Sequence, residues 1–598
     1  MADQQKNLMP IDYTHREFSS IREDLMRIAE RFYPDTFQDF SEASFGSMML
    51  DSVAYVADQL SFYLDYNVNE AFLDTSFQFD NVVRHGRILG YKFGGRPSTY
   101  GTAAFYILVP SSPSGLGPDT DYIPVLKRGT TLGSQTGNSF VLTENINFAD
   151  PKNITVAARV DPDTGTPTYY AIKAYGNVVS GRFGQETITI GAYTSFLNVT
   201  LNAENVSEVI SVFDAEGNEY FEVEYLAQDM IYKEITNPNF KDDNVPSIMK
   251  PFLVSRKFTV ETGPTTTSLQ FGSGKEGLSN VVAQPQSVAV DVFGKTYVSD
   301  TAFDPTRLSQ NESFGVVPVN TTLTVTYRTT NPVSTNIATA GLNTVANSLF
   351  EFDNAQDLTD STVQEVIQSL EVNNEAPIAG AVSYPSTVEI KQRIYDTFPT
   401  QNRAVTQTDY ENMAYRMPLK FGSIKRCSVQ KDSDSQKRNL NLYVISEDSE
   451  GKLIQSNSTI KNNLKTWVNN YRMINDTVDI LDPFILNFGV EFIVKSRQAS
   501  DKFTVLEQSV AALQEHYMTS FFIGEPLYLS DIYQKLKDVT GVLDVVKVKI
   551  ISKSGGSYSA ASIDINDNMS PDGTYLMVPN NAILELKYPE VDVVGKVT

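Results

Sequence analysis

Apolar and polar positions divide this chain into three textures. Ile21, Leu25, Ile28 and Ala29 recur at helical spacing, and Thr14 and Glu17 stand where a hydroxyl and a carboxylate three places on reciprocally cap a helix start. A second helix is predicted from near Ser47, with Leu50, Val53, Ala54, Ala57, Leu60 and Leu64 on one stripe. Tyr55, Phe62 and Tyr66 fall on other faces, so this helix is apolar nearly all round and needs cover on more than one side. A third helix, Phe77 to Leu89, closes at Gly90, a residue that tolerates the left-handed backbone of a helix end.

Beyond Gly94-Gly95-Arg96-Pro97 the pattern shifts to short alternating runs broken by Gly, Pro, Asn and Asp, as in β-rich domains. Phe221, Val223 and Tyr225 alternate with Glu222 and Glu224, and Leu323, Val325 and Tyr327 alternate with threonines, so each run is predicted as a strand with one buried face. A polar stretch from Thr329 to Gly341 reads as a linker, and hence as a candidate hinge between two rigid halves. In the last third, strands near Ser423 to Gln430, Asn439 to Ile445, Val490 to Val494 and Val545 to Ile551 alternate with two helices. One helix carries Ile460, Leu464, Trp467, Val468 and Tyr471, the other Phe503, Leu506, Val510, Leu513 and Tyr517. A short helix from Asp531 to Val539, with Ser530 as cap and Gly541 as stop, precedes the last strand.

The resulting fold class is multidomain α+β, with about four domains expected from the length. A helical N-terminal bundle region covers 1–97, and β-rich middle domains cover 98–328. The linker is 329–341, and a mixed connecting domain with a capped helix at 409–417 covers 342–420. A C-terminal α/β sandwich of ββαβαβ-like order covers 421–598.

Charge narrows the function classes. Forty-eight Lys and Arg stand against 72 Asp and Glu, a net charge of −24, which repels phosphate and leaves counterion release no role without a basic cluster. The densest basic run, Lys431 to Arg438, alternates sign like a solvated turn, so no nucleic acid partner is expected. One cysteine, Cys427, excludes internal disulfides, and the start lacks the regions of a signal peptide, so a reducing cytoplasmic origin is expected. The longest apolar stretch, around Ala103 to Pro110, is far short of the ~18 residues that span a bilayer, and no membrane association is expected.

Candidate chemistry is sparse. His15, His85 and His516 lie in no zinc-binding context and read as structural. The loop Phe271 to Gly277 carries Glu276 where a phosphate-binding loop needs Ser or Thr after its lysine, so it reads as a turn. No Gly-x-Ser-x-Gly elbow occurs. Acid pairs suited to glycoside hydrolysis are possible among so many carboxylates, but solvated surface charge explains them more simply. The expectation is therefore no enzyme, no metal and no cofactor.

Specific strings add a resemblance. The first runs from Asp39-Phe40-Ser41 through Gly46, Leu50, Ala57, Asp58, Leu60, Tyr63 and Asn69-Glu70-Ala71-Phe72-Leu73 to Arg87-Ile88-Leu89-Gly90-Tyr91. The second is Asn402-Arg403-Ala404-Val405-Thr406 followed by Thr408-Asp409-Tyr410-Glu411. Together they resemble the baseplate J-like family of contractile tails. Ile123-Pro124 with Lys127-Arg128-Gly129-Thr130 resembles that family's Ile-Pro-x-Gly-Thr turn, with Pro and Gly further apart here. The Leu323 to Arg328 strand and the Pro526 to Tyr533 segment extend the likeness to wedge-forming members over nearly the whole chain.

The residues themselves read as structural. Thr408 and Glu411 are expected to form a capping box, Tyr410, Met413, Ala414 and Met417 a buried helix face, and Pro418 its end; Arg403, Val405, Thr406 and Asp409 complete the motif. The resemblance implies a scaffold subunit of a tail baseplate in the virion, assembled in the host cytoplasm. It further implies a dimer whose N-terminal helices bundle with a second wedge subunit, whose C-terminal domains join neighbouring wedges, and which relays baseplate opening to sheath contraction. Implied partners include a lysozyme-like sheath-initiating subunit and a clamp-like wedge protein. The stripe Leu50, Val53, Ala54, Ala57, Leu60 and Leu64 is the expected bundle interface. A tail-associated glycan hydrolase and a host-binding adhesin are the alternatives.

Overall fold

The structure, a computed structural model, describes residues 16–33, 44–94, 97–113, 117–236, 247–263, 266–275, 314–330, 335–353, 356, 358–382, 385–432, 439–497, 502–517 and 521–598. The chain divides into two compact units, the first within 1–92 plus 385–398 and the second from the remainder. The architecture is multidomain α+β, with helices first, sheets in the middle and mixed structure at the end. Among the described residues no helix is long and apolar enough to cross a membrane.

The first unit contains α1 (Phe18–Phe32), α2 (Phe45–Glu70), α3 (Phe79–Ile88) and all but the last two residues of α4 (Thr387–Thr400). Thr14, half of the expected capping box, lies outside the described residues; α1 starts at Phe18, with Glu17 at the cap position but no side-chain cap. α2 begins earlier than expected because Ser44 caps it, its hydroxyl accepting from the Ser47 amide at 3.1 Å. At its other end, Glu70 accepts from the amides of Phe77 (2.7 Å) and Gln78 (3.2 Å) and from Asn81 Nδ2 (2.8 Å), satisfying orphan donors where α3 begins. These bonds hold its carboxyl below the usual range, the Asn81 bond most strongly. α3 buries Val82, Val83 and Gly86, and a Cβ at Gly86 would lie 2.8 Å from Ile394 Cδ1, so glycine is what lets α3 approach α4. The region 1–97 therefore lacks one of its own walls, which the sequence supplies from 385–398.

In the second unit the first sheet starts with β1 (Tyr100–Pro110), β2 (Thr131–Ser134), β3 (Ser139–Leu142), β4 (Ile154–Val160) and β5 (Pro167–Ser180). The second sheet takes β6 (Arg182–Thr189), β7 (Asn198–Thr200), β8 (Val206–Phe213), β9 (Glu219–Glu222), β10 (Lys257–Thr262), β11 (Thr267–Phe271) and β12 (Thr322–Thr329). The chain then returns to the first sheet as β13 (Leu342–Asn347) and β14 (Glu371–Asn373). The orders are β13-β2-β3-β5-β1-β14 with β4 paired to β5, and β6-β12-β8-β9-β10-β11-β7. Leu323, Val325 and Tyr327 face inward as expected, but Tyr220 is the buried residue of β9, and Tyr225 is exposed.

Two boundaries in the structure differ from those expected. The connecting domain over 342–420 is not separate from the first β domain, because β13 and β14 pair with β2 and β1. Nor is 329–341 a free linker: residues 331–334 lie outside the description, but Thr335, Asn336 and Ile337 are buried. Asn336 Nδ2 donates to the carbonyls of Ala381 (2.7 Å) and Glu447 (2.6 Å), and Ile337 joins the first sheet's core. Polar side chains signal solvent only when no main-chain group claims them, and here several do.

The C-terminal order is distributed over two sheets. β15 (Arg426–Lys431), β16 (Asn439–Glu447) and β17 (Leu453–Gln455) lie antiparallel, with β18 (Thr477–Leu481) parallel to β16; α5 (Gln407–Tyr415) and α6 (Ser458–Asn469) pack into the same core. β19 (Phe484–Ser496) is the central strand of the second sheet, flanked by β20 (Val542–Lys553) on one side and by β21 (Ala582–Glu585) and β22 (Val593–Val597) on the other. α7 (Lys502–His516) and α8 (Leu529–Asp538) contribute to that core. α8 begins two residues before the expected Asp531, at Leu529, so Ser530 is inside the helix and not its cap. Glu585 joins the sheets, accepting from the Leu453 amide at 2.6 Å and Asn487 Nδ2 at 2.7 Å.

Candidate functional site

α2 has the unusual surface. Its 26 residues, at 1.5 Å rise, extend about 39 Å. α1 lies antiparallel along one side: Arg22 pairs with Asp51 and donates to Ser47 Oγ at 3.1 Å, while Arg16 reaches Asp65 at 2.7 Å. Ala54, fully buried, belongs to that side.

The expected interface stripe is therefore split. Ala54 is not available to a partner, because its own chain covers it, and Leu50 and Ala57 are half-buried. Val53, Leu60 and Leu64 are exposed. The reason is angular: the six residues spread over a broad sector of the helix, and α1 takes one margin of it.

The exposed apolar row that remains is Met49, Val53, Val56, Leu60 and Tyr63, from 49% exposed at Met49 to 57% at Leu60. Its spacing, four then three then four then three, is that of the a and d positions of a coiled coil. At about 100° per residue this seam lies roughly half a turn from Ser47, Ala54 and Asp65. Asn67 continues the same spacing at the next a position. Met49, Val56 and Tyr63 were not in the expected stripe, although the same helical period displaced by a few residues marks them.

The second motif is a folding element. Thr406, not Thr408, caps α5: its hydroxyl accepts from the Asp409 amide at 3.2 Å, and Asp409 Oδ2 accepts from the amides of Thr406 (2.9 Å) and Val405 (3.1 Å). The expected Thr408 and Glu411 capping box is thus displaced by two residues, and the helix runs 407–415 and not 409–417. Thr408 is exposed, whereas Glu411 Oε1 accepts from the Val429 amide of β15 at 2.9 Å. Tyr410 is buried and donates to Asp476 Oδ2 at 2.8 Å; burial first, then that bond, pushes its hydroxyl up to about 12. Met413, Ala414 and Met417 are buried as expected, and Arg403 and Val405 are exposed.

Other candidates resolve into structure. His85 Nε2 lies 2.9 Å from the Glu70 carbonyl, and desolvation lowers the His516 imidazole beside Tyr517; His15 is outside the described residues. Gly272 to Lys275 follow β11 with a bend at Ser273 and a parallel bridge from Gly274 to Val316, and Lys275 lies over the Tyr193 ring at 4.4 Å; Glu276 and Gly277 are not described. Among the described residues no three His, Cys, Asp or Glu are grouped to hold a metal. An open depression of about 530 Å³ beside β18, lined by Asp432, Lys461, Lys465 and Asp479 among others, mixes both charge signs and focuses neither.

No curated protein matches this chain. Among solved structures, a chain of the six-fold symmetrised anti-feeding prophage baseplate, from cryo-electron microscopy, is similar at 10% identity and a TM-score of 0.24, over 94% of this chain and 90% of that one. A likeness of that size carries no structural argument. Residues 16–88, the stretch that contains α1 to α3, match the family model of the bacteriophage baseplate protein N-terminal domain, and this match supports a structural baseplate protein.

Proposed function

We propose that this chain is a scaffold subunit of a contractile-tail baseplate, of the same kind as gene product six, the wedge protein of T-even-like phages. The single observation that carries the reading is the exposed a/d seam of α2 within the segment that matches the baseplate N-terminal family. A fully covered Leu or Val contributes about 1.5 to 3 kcal/mol, so five such positions offset a typical association cost, whereas surface ion pairs contribute nearer 0 to 1 kcal/mol. α1 alone leaves that area in water, and further helices would cover it.

On this reading two copies of α2 and a helix of a second wedge subunit form the bundle, and the C-terminal domains join wedges in an inner ring. A lysozyme-like sheath-initiating subunit and a clamp-like wedge protein are further partners in the virion tail, after assembly in the host cytoplasm. The role is structural and not catalytic. Relay of baseplate opening to the sheath would then pass through rigid parts, since Asn336 and Ile337 pin the segment first read as a hinge.

The test is co-purification with co-expressed baseplate subunits from the same phage. Val53→Asp with Leu60→Asp is expected to abolish the complex while leaving the second unit folded. A complex that survives both substitutions would overturn the reading.

A further inference from the structure

We propose that the edge strand β4 is a contact between two copies of this chain, paired antiparallel about Ala157. Among the described residues β4 pairs with β5 along one side only, and every residue from Ile154 to Val160 is exposed, on both faces of the sheet. Ile154, Val156 and Val160 are each more than half exposed. Such an edge presents a row of open amides and carbonyls to any passing strand, and proteins usually guard it with lysine, proline, an inward charge or a bulge. The pairing of β4 is irregular only near its end, with register shifts between Ala157 and Arg159 and between Arg159 and Val160, and its one charged residue, Arg159, lies over the Tyr169 ring at 5.3 Å.

Charge selects the occupant. With a net charge of −24, two copies repel across most of their surfaces. The run Pro151 to Val160 contains no acid and two cations, Lys152 and Arg159, and the turn that follows carries Asp161 and Asp163. That turn is firmly built: Asp161 accepts from Thr164 Oγ1 at 2.7 Å and from the Asp163 amide at 3.1 Å. Antiparallel pairing about Ala157 sets Ile154 against Val160, Val156 against Ala158 and Thr155 against Arg159. It also lays the Lys152 end of each copy beside the Asp161 to Asp163 turn of the other. Parallel in-register pairing would instead stack Arg159 on Arg159 and Lys152 on Lys152, and like charges directly opposite are destabilising. The antiparallel contact is isologous and closes on itself as a dimer.

This contact is independent of α2, and the experiment separates the two. Cys427 is the chain's one cysteine and is buried, so Ala157→Cys adds one accessible thiol. Opposed residues of antiparallel strands have Cα atoms about 4.5 to 5.5 Å apart, within disulfide range. The full chain carrying Val53→Asp and Leu60→Asp, which removes the helical route to association, serves as the background. There, mild oxidation is expected to join Ala157→Cys chains roughly tenfold or more faster than a control with Thr187→Cys on β6, because pairing raises the thiols' effective concentration. Adding Val156→Lys, or separately Ile154→Lys, is expected to bring the rate down to the control. Cross-linking no faster than the control, or insensitive to both lysines, overturns the proposal.

Discussion

Arg328 on β12 and Glu208 on β8 stand opposite each other in the second sheet and form a 3.2 Å ion pair in which the guanidinium is almost wholly buried. Its Nη1 also donates to Ser98 Oγ at 3.0 Å and to the carbonyl of Ser180, the last residue of β5, at 2.5 Å. One side chain thereby ties the second sheet to the first. Arg328→Met strips three acceptors of this donor and is expected to destabilise the second unit by about 2 to 4 kcal/mol, towards the lower figure because Glu208 keeps some water. Urea unfolding measures it. Arg328→Lys, which keeps the charge but loses the fork, is expected to fall between.

The cap of α5 gives a test by position. Thr406→Ala and Asp409→Ala should each cost about 1 kcal/mol, because each removes an acceptor for amides at the helix start. Thr408→Ala, at an exposed position inside the first turn, should change stability by less than about 0.5 kcal/mol. Equal effects at 406 and 408 in thermal unfolding would contradict the observed box.

The two faces of α2 should answer differently to the same charge. Leu60→Asp alone is expected to leave the isolated chain's stability within about 0.5 kcal/mol, since that side chain is already in water. Ala54→Asp places a carboxylate where α1 packs and is expected to separate the two helices, with faster amide exchange along α1.

Two carboxylates should give stability opposite pH dependences. Burial raises Glu585, so the folded chain holds that proton more tightly than the unfolded one. Its contribution is complete below the unfolded value and is lost as pH rises through the folded value, which lies above the unfolded one. Glu375 is lowered, chiefly by the Lys173 bond and then by Tyr175. Its contribution is present above the unfolded value and is lost as pH falls through the folded one. Thermal midpoints scanned from strongly acidic to neutral pH should therefore show a loss above the unfolded carboxylate value that Glu585→Gln flattens, and a loss below that value that it leaves in place.

Periodicity made the helices of the first unit, the inward residues of β12 and the core of α5 legible, because each follows directly from which side chains avoid water. Several features escaped for physical reasons. The partner of α3 lies in α4, and nothing local in Gly86 names Ile394 as its neighbour. Asn336 reads as solvated, yet its amide is consumed by two carbonyls distant in sequence. Capping at 406 and 408 differs only in which hydroxyl reaches an amide, a matter of backbone angle and not of residue type. For the stripe expected as an interface, the helical period is legible in the sequence, but which face stays exposed depends on where α1 packs.

The position of α4 in the chain has a consequence for biosynthesis. α3 leaves the ribosome about 300 residues before Ile390 and Ile394 are made, and both isoleucines end fully buried. At about 5 to 20 residues per second that interval lasts roughly 15 to 60 s. The strands of the first two sheets are all translated within it. A nascent chain halted before codon 390 would carry its earliest helices unfinished, so the part of the molecule made first is sealed only after most of the rest has been produced.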